Sequence, residues 1–200
     1  MKKYIIVFIA GILLVPAAFY LYLRSGDVPV STSASPLPFE RFLARLAMDA
    51  TMSHELPKTD AGPPTEAELL SGAQIYRQNC ALCHGLPNES RTAISKGLYP
   101  HPPQFFKPGE GTAYNPSLPY RPARRKVYWK VKNGIRLTGM PSFKGAFTQK
   151  QIWEVSQFLG NARNLPSNVV AVLEGKPEKP QQPKPTSPPK SDQQIASDHK

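Results

Sequence analysis

Cys80 and Cys83, the only two cysteines in 200 residues, stand three apart, and His84 follows directly in "NCALCHG". Four chemistries use a thiol pair at this spacing. A redox dithiol needs a strand-to-helix turn, and the residues before Cys80 carry helical rather than strand periodicity. A zinc centre needs four ligands, but His54, His101 and His199 come with neither partner cysteines nor finger spacing. A disulfide suits an oxidising compartment and leaves His84 without a role. Covalent attachment of haem uses all three residues. Positions i, i+3 and i+4 share a helix face, so two thiols can add to two vinyl groups along a porphyrin edge while the imidazole reaches the iron. One copy of the motif implies one covalently bound haem c per chain.

This chemistry needs export, and the N-terminus supplies a route. "MKKYIIVFIAGILLVPAAFYLYLRSGD" has two lysines, then an uncharged, mostly apolar run over residues 4–23, then Arg24. Twenty helical residues reach about 30 Å, the hydrocarbon thickness of a bilayer. A cleaved signal with a cut near Val15-Pro16-Ala17 is the alternative, but the apolar run continues through "AFYLYL", as an anchor requires. Residues 1–25 are therefore expected to form a single-pass signal-anchor helix in the cytoplasmic membrane. Lys2 and Lys3 favour a cytoplasmic N-terminus, with Arg24 acting against that bias, and the chain beyond it lies on the periplasmic, extracytoplasmic side.

The elements that must position the motif follow from periodicity. Residues 26–64 read as a Ser/Pro linker carrying a short amphipathic helix over 39–54. There Phe39, Phe42, Leu43, Leu46 and Ala50 recur at helical spacing, and packing against its own domain is the expected use of that face. Thr65, with Glu66 and Glu68 behind it, opens a helix predicted to run through the cysteines, with Leu69, Gly72, Ala73 and Tyr76 on one stripe. Prolines and glycines from Leu86 to Pro122 predict irregular loops. Helical spacing returns through Val127, Trp129, Val131 and Ile135. It is strongest after Thr148, where Ile152, Val155, Phe158 and Leu159 share a face. No stretch alternates as a strand should, so the fold class is all-α. Residues 174–200 are nearly free of apolar side chains and are expected to be a disordered Pro-rich tail.

From about residue 66 to 165 the chain resembles a class I c-type cytochrome. The resemblance is carried by a first helix with Gly72 and Tyr76, then "CALCHG", proline-rich loops, "TGMPSF", and a last helix with Trp153 and Phe158. It implies a cytochrome c-like helical domain over 65–173 around one haem, with the first and last helices crossing at a small residue, a place that Gly72 would fit. It also implies that a proline-rich loop carbonyl supports the proximal histidine, and Tyr99 to Pro103 is the matching stretch.

The second axial ligand decides between electron transfer and chemistry at an open iron. Met140 stands between Gly139 and Pro141 in "GIRLTGMPSFKG", a rigid loop rather than a core helix, and the resemblance to the Met-loop of such cytochromes is close. His84 and Met140 are therefore the expected metal ligands, and Cys80, Cys83, His84 and Met140 the cofactor-binding set. His101 is the alternative sixth ligand, and a core position the alternative use of Met140.

Residues 121–150 hold nine Lys or Arg and no Asp or Glu, while the whole chain has a formal charge of +11. An exported haem domain meets no nucleic acid, so this block is expected to steer a redox partner, acidic in character, unless it is only a solvated surface or faces anionic lipid. The expected function is one-electron transfer with no enzymatic step, in a bacterial respiratory-type chain. One alternative is a cytochrome subunit of a larger membrane or periplasmic oxidoreductase. The other is a haem enzyme or sensor with an open iron.

Overall fold

The structure is a computed structural model that describes residues 2–59, 62–107, 123–162 and 164–175. Eight helices and no strand occur among the described residues: α1 (Lys2–Arg24), α2 (Glu40–Glu55), α3 (Glu66–Asn79), α4 (Ala81–His84), α5 (Ala93–Gly97), α6 (Arg124–Asn133), α7 (Gln149–Gly160) and α8 (Ser167–Leu173). Among the described residues the fold is all-α, as the sequence predicts. Most of the tail, from residue 176 on, and residues 121 and 122 of the basic block lie outside the described residues.

Two helices with matching starts build the centre. Thr65 and Thr148 each accept from the backbone N–H three residues on, and Glu68 and Gln151 bond back to the Thr backbone, so α3 and α7 both begin in capping boxes. Leu69, Ala73 and Tyr76 on α3 meet Ile152, Val155, Phe158 and Leu159 on α7 in one buried cluster. The two helices cross at Gly72. A Cβ there would lie 2.7 Å from Phe158 Cβ and closer still to the Glu154 carbonyl oxygen, so a glycine is what the approach requires. Beside the crossing, Ser71 Oγ donates to the buried Glu154 carboxylate at 2.7 Å, with Lys150 Nζ 3.7 Å from its other oxygen. That pairing satisfies a charge that would otherwise be costly to bury.

α6 packs on α7, with Val127, Tyr128 and Val131 buried and Tyr128 stacked on Trp153 at 4.3 Å between ring centroids. α8 closes the other side of α3 through Val169 and Leu173, and Asn168 Nδ2 donates to Glu66. Its periodic run, "SNVVAVL", is short and follows a proline, and the sequence reading gave it no helix.

Three expectations need correction. The helix carrying Gly72 does not run unbroken through the cysteines: it ends at Asn79, Cys80 turns to φ −114°, and a separate turn, α4, carries the motif. Helical spacing near 127–135 stops at Asn133, because Gly134 (φ 69°) ends α6 and leaves Ile135 in the following loop. The apolar stripe of α2 does not pack on its own domain. Phe39, Phe42, Leu43 and Leu46 are exposed, and the helix docks on α6 by its other side, through buried Met52. Glu55 there accepts from Trp129 Nε1 at 2.8 Å, and at the other end Arg41 Nε donates to Tyr99 Oη at 3.1 Å.

α1 is, among the described residues, the one helix long and apolar enough to cross a membrane.

Gly72→Val is expected to force α3 and α7 apart and to lower stability by on the order of 1–3 kcal/mol. A urea titration of the haem-loaded protein followed by far-ultraviolet circular dichroism reads this, and an unchanged midpoint would contradict the crossing.

Candidate haem site

The motif sits where α3 gives way to α4. The Cys80 carbonyl accepts from the N–H groups of both Cys83 (3.1 Å) and His84 (2.9 Å), which keeps the three side chains on one local helical turn. Gly85 (φ 76°) ends the turn, and its carbonyl accepts from buried Tyr76 Oη at 2.6 Å. Burial pushes the Tyr76 phenol far upward, so it remains a donor across the whole working range. Tyr76 thus ties the end of the motif back to the helix that carries it, and its ring also packs on Phe158 and Phe106.

His84 Nδ1 lies 2.9 Å from the Pro103 carbonyl, inside the proline-rich stretch at 99–103. A carbonyl only accepts, so Nδ1 carries the proton and Nε2 is left with its lone pair. Burial lowers the His84 pKa, with the Pro103 bond acting the other way. A neutral imidazole with a fixed tautomer is the form that ligates a metal. Phe105 stacks on the ring, with centroids 4.7 Å apart and planes at 21°.

The thiols are unbridged. Burial, with Cys83 nearby, pushes the Cys80 thiol up to about 12, which opposes the thiolate character that disulfide exchange needs. Among the described residues no three His, Cys, Asp or Glu side chains come together to hold a bare metal ion. Two thiols and a neutral imidazole on one turn, with the Phe105 ring stacked on the imidazole, fit covalent haem better than either a disulfide or a bare metal ion.

Met140 is half-buried in the loop after α6. Its N–H donates to Thr138 Oγ1 at 3.1 Å, and its carbonyl accepts from Ile135 N–H at 3.2 Å. Ser142 Oγ and the N–H groups of Phe143 and Lys144 bond to the Val131 and Lys132 carbonyls, so the loop hangs from the C-terminal turn of α6. Gly134 allows the return, because a Cβ there would lie 2.7 Å from the backbone of Pro141 and Ser142. A Cβ at Gly139 would meet the end of the Leu98 side chain, which would have to shift to admit it. Met48 and Met52 lie away on α2, and His101 is exposed.

Gln104 was not singled out by sequence. It is 1% exposed, and its Nε2 donates to the Cys83 carbonyl (2.9 Å), Ser95 Oγ (3.1 Å) and the Pro102 carbonyl (3.3 Å). One amide therefore joins the motif turn to the loop that holds His84. Its Oε1 is buried without a partner and faces Gly85, where a Cβ would collide with it. The signal available was an amide set between two prolines and two phenylalanines in "PPQFF". Gln104→Leu is expected to leave the Cys83 carbonyl without this donor and to cost about 1–3 kcal/mol. Chemical denaturation of the haem-loaded protein measures it, and a neutral effect would show that the amide is dispensable.

Two comparisons bear on this site. Residues 67–159 match the family model for cytochrome c oxidase, cbb3-type, subunit III. The chain is also similar to the quinohemoprotein alcohol dehydrogenase ADH-IIG of Pseudomonas putida, at 26% identity over 137 residues. That alignment covers 65% of this chain but only 16% of the larger protein. No solved structure gives a significant match. The helical fold, the Cys-x-x-Cys-His turn and both similarities point the same way: residues 67–159 are similar to c-type cytochrome domains, which carry haem c, and they support a function in electron transfer.

Proposed function

We propose that the chain is a membrane-anchored, single-haem electron carrier, with Cys80 and Cys83 bonded to the porphyrin edge and His84 and Met140 on the two faces of the iron. The observation that carries this is the His84 Nδ1 bond to the Pro103 carbonyl, because it fixes the tautomer and leaves Nε2 for the metal. Haem c supplies the one-electron couple between ferrous and ferric states. The chain's own residues do the rest. The Pro103 carbonyl raises the basicity of His84, and Gln104 holds the turn and the loop in register. Met140 presents a soft thioether, which favours the ferrous state and a comparatively high potential. His84 and Met140 would hold the iron between them, and the chemistry the haem would supply there is one-electron transfer without binding of a substrate.

The proposed organisation is an anchor over 1–25, a linker over 26–64 with its amphipathic helix, a haem domain over 65–173 on the periplasmic side and a tail over 174–200. The exposed cations of the basic block, among them Lys126, Arg136, Lys144 and Lys150, suit transient, salt-sensitive docking of an acidic redox partner. A second reading is favoured by the comparisons: the matched family is described as a subunit, and the similar region of the dehydrogenase is a small part of a larger protein. In that reading this chain is the cytochrome subunit of a larger oxidoreductase. Copurification after extraction in mild detergent separates a free carrier from a subunit.

Met140→Ala is expected to abolish the weak sulfur-to-iron charge-transfer absorption of the oxidised protein, to lower the potential and to open the ferrous iron to carbon monoxide. A parent protein that itself binds carbon monoxide readily would overturn the carrier reading. Covalent attachment has its own check. Haem should stay with the denatured parent polypeptide on a gel and be lost from the variant with both Cys80→Ala and Cys83→Ala.

A further inference from the structure

α2 has two unlike sides, and the fold determines which one faces outward. Met52 is buried at 2% exposure, Glu55 is bonded to Trp129 on α6, and Arg41 is bonded to Tyr99 on the loop after α5. Both ends of the helix are thereby fastened. The opposite side carries Phe39, Phe42, Leu43 and Leu46 at 76%, 62%, 58% and 56% exposure, with Ala47 and Ala50 continuing the stripe. Rotating α2 to bury those residues would break the fastenings at both ends.

We propose that this stripe lies in the surface of the membrane that α1 crosses, with α2 parallel to the lipid plane. The inference rests on the anchored reading of α1. Only fifteen residues, 25–39, separate the end of α1 from α2. Fully extended they reach at most about 50 Å, so the bilayer is the one apolar phase that the covalent structure keeps permanently beside the stripe. Phe and Leu on one face of a helix with charged residues elsewhere suit shallow burial at the headgroup boundary. Glu40, Arg41 and Arg45 lie off the stripe, and Asp49 sits at its edge. The contact has a consequence for the site, because Arg41 holds Tyr99, four residues from the Pro103 carbonyl that supports His84. A helix lying on lipid then sets the tilt and height of the haem domain, rather than leaving it to swing on its linker.

The test uses the full-length, haem-loaded protein in nanodiscs of phosphatidylethanolamine and phosphatidylglycerol. Thioether formation consumes Cys80 and Cys83, so one introduced thiol takes one nitroxide label. Labels at Leu13→Cys, Leu43→Cys, Leu46→Cys and Lys150→Cys are compared by power-saturation electron paramagnetic resonance, with oxygen and a water-soluble nickel chelate as relaxants. The expected result is an oxygen-to-nickel accessibility ratio several-fold higher at 43 and 46 than at 150, with 13 deeper again. Labels at 43 and 46 that match 150 while 13 is lipid-deep would overturn the inference and leave the anchor standing. Labels at 43 and 46 shielded from both relaxants would overturn it in favour of a protein-covered face. A nickel-accessible label at 13 would remove the anchored reading, and this inference with it.

Discussion

α3 and α7 cross at Gly72 more closely than any side chain there would allow, and the site depends on that crossing. With no side chain at that point, the backbones come near enough for Tyr76 and Phe158 to share one core, their rings 5.3 Å apart. Tyr76 is then aimed so that its hydroxyl reaches the Gly85 carbonyl, beyond the cysteine turn. A wider crossing would move Tyr76, and with it the end of α4. The position of His84 is thus set by a contact between two helices, neither of which contains it.

Around that crossing, irregular backbone does work that secondary structure does elsewhere. The loop at 98–104 has few amide donors to give because of its prolines, yet its carbonyls at Pro102 and Pro103 are acceptors for Gln104, Arg91 and His84. Proline fixes φ and removes its own N–H, so such a loop offers acceptors with little freedom to move them. The neighbouring amide of Gln104 adds donors where the prolines have none. The result is a rigid wall beside the imidazole without a strand among the described residues.

Much of this was legible in the sequence. Thr65 and Thr148, each three residues before a Glu or Gln, mark the helix starts through a purely local rule. The stripes Leu69–Ala73–Tyr76 and Ile152–Val155–Phe158–Leu159 give the buried faces because a core enforces the 3.6-residue period. What the sequence hid depends on partners far along the chain. The break at Cys80 goes with the Tyr76 bond to the Gly85 carbonyl, and the burial of Gln104 with its bonds to Ser95 and the Cys83 carbonyl. The face of α2 was misjudged because periodicity shows that a helix has an apolar side but not what covers it. Met52, on the other side, proved the better anchor.

The sulfur-bearing loop is suspended from α6, through the Val131 and Lys132 carbonyls, and not from the α3–α7 pair. Beyond the packing of half-buried Met140 and Phe143 on the core, its attachments are a handful of loop bonds, whereas the cysteine turn is tied to α3 through Tyr76 and to the core through buried Ala81. In the proposed site the two halves of the iron's environment therefore differ in local stability. Under mild stress the thioether arm should release first, as a hinged flap, while the imidazole arm and the helical frame stay intact. With the proposed His84 and Met140 ligation, such a protein exchanges one iron ligand without unfolding.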